Sequence, residues 1–566
     1  MNLLQLLVNK GLLRNEDVPA LQNAAKLQPQ RPLHLLLLDQ GFAKEENLLP
    51  VLAEQFGMDL VDLTKVQVEH DMLKTMPNKL VHRRNLMPLS RENGTLTVAT
   101  ADPFDVYALD ELQTLTGLHV LPVLASPREI TRLIKTHFGV GGETVTAMMQ
   151  ERADEVELLD EIEADDSEIA KQAQEASVVK LVNEILVEAA NERASDIHIE
   201  PEEQSLRIRY RIDGILQTQV LPPEINRFQA AIISRIKIMA RLNIAEKRLP
   251  QDGRIKMRVH SHEIDVRVSI IPMIHGEGIV MRLLDKTRMV FNLANVGMLE
   301  ESYAAFRKVI DRPHGIVLVT GPTGSGKSTT LYSALNEIKS DSSKIITVED
   351  PVEYQQPHIS QIQVHPKIGL TFGASLRSIL RHDPDVILIG EIRDLETAEN
   401  AIQASLTGHL VFSTLHTNDA PSAFTRLVDM GLEPFLVSST IEGVMAQRLV
   451  RNICKECKTE YEPRHGDVPR DFPGVAEGNF PKKLMKGAGC RKCRQTGYSG
   501  RMGIFELMVT GDRIKELVMQ RTNAHVIRNE ALKAGMVTLR QDGWRKVQQG
   551  LTTIEEVARV TAADLS

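Results

Sequence analysis

Eight consecutive residues, Gly321-Pro322-Thr323-Gly324-Ser325-Gly326-Lys327-Ser328, meet every position of the Walker A pattern. Backbone N–H groups of such a glycine-rich loop converge on phosphates, Lys327 reaches the β and γ oxygens, and Ser328, followed by Thr329, offers a hydroxyl to magnesium. A loop of this kind grips a nucleoside triphosphate. Cleaving one also takes acids that hold the metal shell and orient a water. Three such acids follow: Glu349 and Glu353, flanking Asp350 in one acidic segment, and Glu391 further on.

A second constellation uses every cysteine in the chain, in two C-x-x-C pairs, Cys454 with Cys457 and Cys490 with Cys493. Each pair presents two thiolates from one tight knuckle, and two knuckles complete the all-sulfur shell of a structural zinc. Lys455, Lys458, Arg491, Lys492 and Arg494 would offset the thiolate charge. Disulfides are the competing reading. No signal-peptide pattern opens the sequence, so the expected compartment is the reducing cytoplasm, where this spacing means metal.

Strands and a helix must position the first constellation. The run 316–320, IVLVT, reads as a buried parallel strand leading into the glycine loop, and 328–339 has helical spacing after it. Residues 345–348 form a second apolar strand running into Glu349. Residues 386–389 form a third, which ends in Gly390-Glu391 in the manner of a Walker B segment. Open α/β sheets place ligands at the C-terminal ends of such strands. The expected class is therefore α/β, with MgATP as the nucleotide.

Beyond the glycine loop, the segments 346–354 (ITVEDPVEY), 376–394 (LRSILRHDPDVILIGEIRD), 407–420 (TGHLVFSTLHTNDA) and 195–201 (SDIHIEP) resemble the secretion ATPases of the type II secretion and type IV pilus assembly class. The resemblance covers about residues 176–566. It implies a RecA-like P-loop core over 293–566 that carries a zinc-binding insertion at 452–496 and C-terminal helices. A PAS-like α+β domain over 176–292 precedes the core, after an N-terminal adaptor domain (1–142) and an acidic linker (143–175). It also implies roles: a water-activating glutamate at Glu353 in preference to Glu349, the Walker B glutamate at Glu391, and a γ-phosphate sensor at His416 with His409 from the same segment. Arg254 and Arg267 would contact nucleotide from the preceding domain, and Arg377 and Arg381 from the core. In one departure, Gly278 stands where the family commonly has lysine. The implied working form is a cytoplasmic homohexamer using ATP, Mg2+ and Zn2+. It would be held peripherally at the inner membrane by platform and adaptor proteins, adding pilin or pseudopilin subunits. The cysteine insertion favours the assembly branch over the retraction motors.

Composition agrees with a large multidomain chain. Among 566 residues, 42% are hydrophobic and 25% charged, ordinary globular values. A net charge of −8 and only 4% aromatics give neither the basic field nor the stacking platforms of the alternative, a RecA-like nucleic-acid translocase. A small-molecule phosphotransferase is a weaker third reading, since no acceptor-binding segment stands out. No apolar run approaches the ~20 residues that span a bilayer, and 35–38 is a short core stripe. The acidic tract 151–168, after Gly139, Gly141 and Gly142, reads as a solvated linker or frayed helix. Residues 176–193 have helical spacing. Arg209, Arg211, Arg254, Arg267 and Arg282 alternate with apolar residues, as in a half-exposed antiparallel sheet, with surface decoration as the competing reading.

The first 140 residues combine short amphipathic helices at 3–8 and 47–56 with a segment, 96–105, that resembles the family's adaptor domain. Some such domains bind cyclic di-GMP through an arginine-leucine-glycine opening and spaced leucines. Here Gly41, Leu48, Leu52 and Gln55 keep the later spacing, but the opening reads Pro32-Leu33-His34. Without that guanidinium and glycine, partner docking is the expected role in preference to dinucleotide binding.

Overall fold

The computed structural model describes residues 176–562 apart from 222, 260–261, 286–290 and 465, together with the pair 157–158, most of 80–138 and 32–64, and scattered positions before and between them. The chain divides into two compact units, Met1–Asp285 and Lys286–Ser566.

In the first unit, helices α1 (Leu33–Asp39) and α2 (Glu45–Phe56) bury Leu36, Leu37, Leu48 and Leu52 in a small core. Leu48 and Leu52 lie one turn apart, so they share a helix face, and both are core. Buried His34 ties α1 to the loop after the second strand, its Nε2 being 3.0 Å from the Ala101 carbonyl. A three-stranded sheet follows, with β1 (Met87–Glu92), β2 (Thr95–Thr100), helix α3 (Val106–Thr116), β3 (His119–Leu124) and helix α4 (Pro127–Phe138). Asp105 caps α3 by accepting from Ala108 N, and Gly117, at φ +68°, ends it in the left-handed conformation that glycine adopts without strain.

Of the expected acidic linker, the described part is a two-residue strand, β4 (Glu157–Leu158); the rest of 143–175 lies outside the described residues. Then come α5 (Ala176–Asn191), β5 (Asp196–Pro201), β6 (Leu206–Ile212), β7 (Ile215–Thr218), α6 (Gln229–Met239), β8 (Gln251–Val259), β9 (His262–Met273) and β10 (Gly276–Asp285). They form one antiparallel sheet in the order β4-β8-β9-β10-β5-β6-β7, so β4 pairs with β8 instead of remaining solvated. Alternate residues such as Ile255, Met257, Val266 and Val268 turn inward against Leu181 and Ile185 of α5 and Ile232 and Ile236 of α6. Many outward positions are taken by charged side chains, alongside exposed Ile271 and Val280.

The second unit is built on a seven-stranded sheet. Its elements are α7 (Glu300–Ile310), β11 (Gly315–Thr320), α8 (Lys327–Ile338), β12 (Ile345–Glu349), β13 (Ser360–Gln363), α9 (Phe372–Ile379), β14 (Val386–Ile389), α10 (Leu395–Leu406), β15 (Leu410–Leu415), α11 (Pro421–Asp429), α12 (Pro434–Thr440), β16 (Ile441–Ile453), β17 (Lys458–Tyr461), β18 (Leu484–Gly487), β19 (Tyr498–Val509), α13 (Asp512–Met519), α14 (Ala524–Lys533), α15 (Leu539–Gln548) and α16 (Ile554–Val560). The order is β13-β12-β14-β15-β11-β16-β19, parallel throughout except for the last pair. Helices α7 and α8 pack on one face, with Val317, Val319 and Phe412; α9 and α10 pack on the other, with Leu318, Ile387 and Val411. Burial from both sides explains the unbroken apolar runs of β11, β14 and β15, each such side chain contributing about 1.5–3 kcal/mol. The small pair β17–β18 belongs to the cysteine insertion between β16 and β19.

Candidate functional site

The polypeptide leaves the sheet at Thr320 and enters α8 at Lys327, and the glycines between them have φ of +150° (Gly321), +77° (Gly324) and +90° (Gly326), conformations that side chains oppose. Two of them also lack room. A Cβ on Gly321 would lie 2.6 Å from the Gln447 carbonyl oxygen, and one on Gly326 would lie 2.8 Å from Gln447 Nε2. Strand β16 is thus the floor beneath the loop, and Gln447, 2% exposed, is fixed there by accepting from Thr330 Oγ1 at 2.8 Å.

Two cations converge at this loop. Lys327 Nζ donates to the carbonyls of Gly321 (2.7 Å) and Pro322 (3.1 Å). Arg448, next to Gln447 on β16, donates to the Gln447 carbonyl (3.0 Å) and to the Asn418 carbonyl and Oδ1 (3.0 and 3.2 Å). All of these acceptors are neutral. Burial pushes Lys327 down to about 8, with Glu391 pulling back and Arg448 adding to the fall. Burial also depresses Arg448.

The acids divide by environment. Glu391, just beyond β14, lies 2.5 Å from Arg393 Nη2 and 3.4 Å from His416 Nε2. The neighbouring strand holds it in place, with Ser413 Oγ donating to the Ile389 carbonyl and Thr414 Oγ1 to the Gly390 carbonyl. His416 is anchored in turn, because Thr417 N donates at 2.9 Å to Thr320 Oγ1 at the foot of the glycine loop. Glu349 ends β12 and is 6% exposed; it accepts from Tyr332 Oη, from Thr347 Oγ1 (2.6 Å) and from Gln361 Nε2 (3.1 Å). Its oxygens are engaged inside the protein, and burial together with Glu349 raises the Tyr332 hydroxyl. Glu353, four residues on, is half-buried in the loop after β12.

Lys327, Ser328, Glu391 and His416 thus share the C-terminal edge of one sheet. His409 does not join them. It precedes β15, with Nδ1 at 2.8 Å from the Ala404 carbonyl, and β15 runs parallel to β11 from Leu410 beside Gly315 to Leu415 beside Thr320. Six strand residues place it roughly 20 Å from the loop, at the opposite edge. Arg377 is engaged with Glu396 at the start of α10. Arg381 lies past the end of α9, next to His382, whose carbonyl accepts from Lys344 at the start of β12, again the opposite edge. In the first unit, Arg254 pairs across the strands with Arg267, Arg267 with Arg282, Arg282 with Asp196, and Asp196 with Arg211. Asp265 contacts Arg254 at 2.8 Å, and Asp196 contacts Arg282 at 3.1 Å. Facing like charges oppose strand pairing, and Asp265 and Asp196 offset that repulsion, Asp196 also lying 3.6 Å from Arg211.

Sequence reading missed Gln447 and Arg448. Their polar character alone did not set them apart, because β16 also carries Glu442, Arg451 and Asn452.

The four thiols form a separate cluster. Cys454 Sγ lies 3.7 Å from Cys490 Sγ, Cys457 Sγ lies 3.7 Å from Cys493 Sγ, and all four fall within 4.8 Å of one another. Sulfurs at the ~2.3 Å zinc bond length stand about 3.8 Å apart at tetrahedron corners, so the donor set fits that ion and leaves no position open. Burial raises the Cys493 thiol, but N–H groups of Cys490 and Gly497, at 3.1 and 3.2 Å from its sulfur, outweigh this and draw it down to about 7. Backbone donors of this kind favour the thiolate that binds metal.

Residues 171–559 match the Type II/IV secretion system protein family, and residues 56–144 match the MshEN domain. The type IV pilus assembly ATPase PilB of Myxococcus xanthus is 43% identical over 561 residues, 98% of each chain. Type II secretion system protein E of Xanthomonas campestris pv. campestris is 44% identical over 570 residues, 99% of this chain and 98% of the relative. The X-ray structure of the Legionella pneumophila ATPase DotB shares the fold, with a TM-score of 0.50 at 22% identity over 67% of this chain and 94% of that one. No helix among the described residues is long and apolar enough to cross a membrane.

Proposed function

Because the chain belongs to the type II/IV secretion system protein family, it is an ATPase of the secretion and pilus assembly class, and we propose that it hydrolyses MgATP at the loop 321–329 to drive addition of pilin or pseudopilin subunits. One observation carries the choice of site. Lys327 and Arg448, both partly buried, converge on a glycine loop while donating only to neutral oxygens. Cations taken out of water with no carboxylate bonded to them are destabilised, and a triphosphate reduces that penalty.

In this reading Lys327 clamps the β and γ oxygens and Arg448 steadies the γ end. Magnesium, held through Ser328 with Glu391 nearby, neutralises phosphate charge when bound. Glu353 orients the attacking water, whereas Glu349, with its oxygens committed to Tyr332, Thr347 and Gln361, supports the loop from beneath. His416, against Glu391, donates a hydrogen bond that the product no longer accepts. Arg254, Arg267 and, from the core, Arg377 are the further cations assigned to nucleotide, whereas Arg381, at the far sheet edge, is not placed to join them. The working form is a homohexamer. Cys454, Cys457, Cys490 and Cys493 hold one zinc. The working place is the cytoplasmic face of the inner membrane, with platform and adaptor proteins as partners. Nothing in the family assignment favours the nucleic-acid translocase.

Turnover assays on Lys327→Ala and Glu391→Gln test the site. Lys327→Ala loses hydrolysis, while Glu391→Gln still binds a nonhydrolysable analogue but slows at least about a hundredfold. Undiminished turnover by Lys327→Ala would refute the assignment, and stimulation of the wild type by DNA would favour the translocase.

A further inference from the structure

Glu506, on β19, belongs to neither the glycine loop nor the acidic segments, yet it is a carboxylate only 2% exposed and aimed at two separate parts of the second unit. Oε1 accepts from Ala420 N at 2.8 Å, where the 416–419 loop enters α11. Oε2 accepts from Leu539 N at 3.4 Å, in the first turn of α15. The 416–419 loop is therefore suspended at three points: Thr417 on Thr320 at the foot of the glycine loop, Asn418 on Arg448, and Ala420 on Glu506. His416, opposite Glu391, hangs from that suspension.

Resting on the nucleotide site argued above, we propose that Glu506 is a positioning residue for hydrolysis: its carboxylate sets the height of the His416 loop and couples that loop to α15, so that the C-terminal helices and the phosphate site respond together. A shift of His416 on loss of the γ-phosphate would pull Ala420, and the same carboxylate would transmit the pull to Leu539. Helix α15 is well placed to receive it. Its Asp542 accepts from Phe505 N at 2.9 Å, and its buried Lys546 donates to the Gly503 carbonyl at 2.6 Å, so α15 grips β19 at two points just before Glu506.

The charged groups facing Glu506 are Asp419 before α11, Arg448 on β16 and Arg528 on α14. Burial first, then Asp419, pushes its carboxyl up to about 7, while the N–H donors and Arg528 oppose the rise. The ionised form is the better acceptor for both N–H groups, so positioning strengthens as pH rises through that value.

Glu506→Gln keeps the shape but replaces one accepting oxygen with a donor. We expect kcat to fall about tenfold with the KM for ATP within about twofold, and the rising limb of the kcat–pH profile near neutrality to disappear. Combined with His416→Ala, it should cost no more than His416→Ala alone, because both act through one loop. Wild-type kcat, or losses that multiply in the double variant, would overturn the proposal. Hydrogen exchange on the unmutated protein gives a measure that does not depend on the variant folding: a nonhydrolysable ATP analogue should change protection at 416–420 and 538–542 together, and a change in one alone counts against the coupling. Turnover surviving in Lys327→Ala would be a different failure, that of the nucleotide site itself.

Discussion

Raising the pH tests the desolvated lysine directly. In the free protein, burial holds Lys327 at about 8, far below an exposed lysine, so near pH 7 it is charged and ready for phosphate. At pH 9 only about one lysine in ten would remain protonated, whereas a bound triphosphate restores the charge. Binding must therefore take up about 0.9 proton at pH 9 and almost none at pH 7. The sign follows: affinity is level below pH 8 and falls about tenfold for each pH step above it, until the ordinary lysine range is reached. A phosphate's last ionisation lies near pH 6, below the steep part of this curve, so the fall above pH 8 belongs to the protein. Titration calorimetry with a nonhydrolysable ATP analogue, repeated in buffers of different ionisation enthalpy, measures both quantities. Lys327→Arg, whose cation does not titrate below pH 12, should bind more weakly but without the pH slope. Level affinity from pH 7 to 9.5, with no proton uptake, would show that the lysine is not buried beside its ligand, and the argument from uncompensated cations would fail with it.

The two glutamates of the acidic segment should part company. Glu349→Ala strands Tyr332 Oη in a buried site, at about 1–3 kcal/mol for each unpartnered group, and should lower Tm by several degrees; Glu353→Ala should leave Tm within about two degrees while kcat drops a hundredfold or more. Equal Tm losses in the two would remove the distinction. For the cysteine cluster, metal analysis of purified protein should find one zinc per chain, and Cys454→Ser should lose it and melt earlier with the KM for ATP unchanged; a wild-type chain free of zinc would contradict the site.

What the residues alone disclosed follows from how each element is buried. Strands β11, β12 and β14 are covered on both faces, so their sequences are apolar runs and announce themselves. The glycine loop is legible because its backbone conformations demand glycine at fixed spacing. Proximity along the chain misled in one place: His409 and His416 share a motif, yet the strand between them carries them to opposite edges of the sheet. Distance along the chain concealed Gln447 and Arg448, which meet the loop only because β16 inserts beside β11, a neighbour relation no local pattern encodes. The facing of Arg254, Arg267 and Arg282 was hidden likewise, since alternation tells which side of a strand a residue takes but not its partner across the sheet.

Strand β16 explains why a four-cysteine insertion should sit on a nucleotide-binding core at all. Gln447 supports two glycines with no spare volume, so a slip of the strand by a fraction of an ångström would reach the phosphate loop. Its far end cannot be left to fray. Six residues beyond Arg448 the strand runs into Cys454, whose N–H donates to the Gly497 carbonyl at 2.9 Å, and Ile453 pairs there with Tyr498 of β19. Arg451, between them, gives its backbone N–H and its guanidinium to buried Glu556 at 2.9 and 2.8 Å, joining the strand to α16. Four sulfurs gathered about one ion would close this end of the β16–β19 pair as a staple closes a hairpin. The cluster then governs how firmly the floor is held and stays far from the reacting phosphates, and so its expected signature is a melting temperature and not a Michaelis constant.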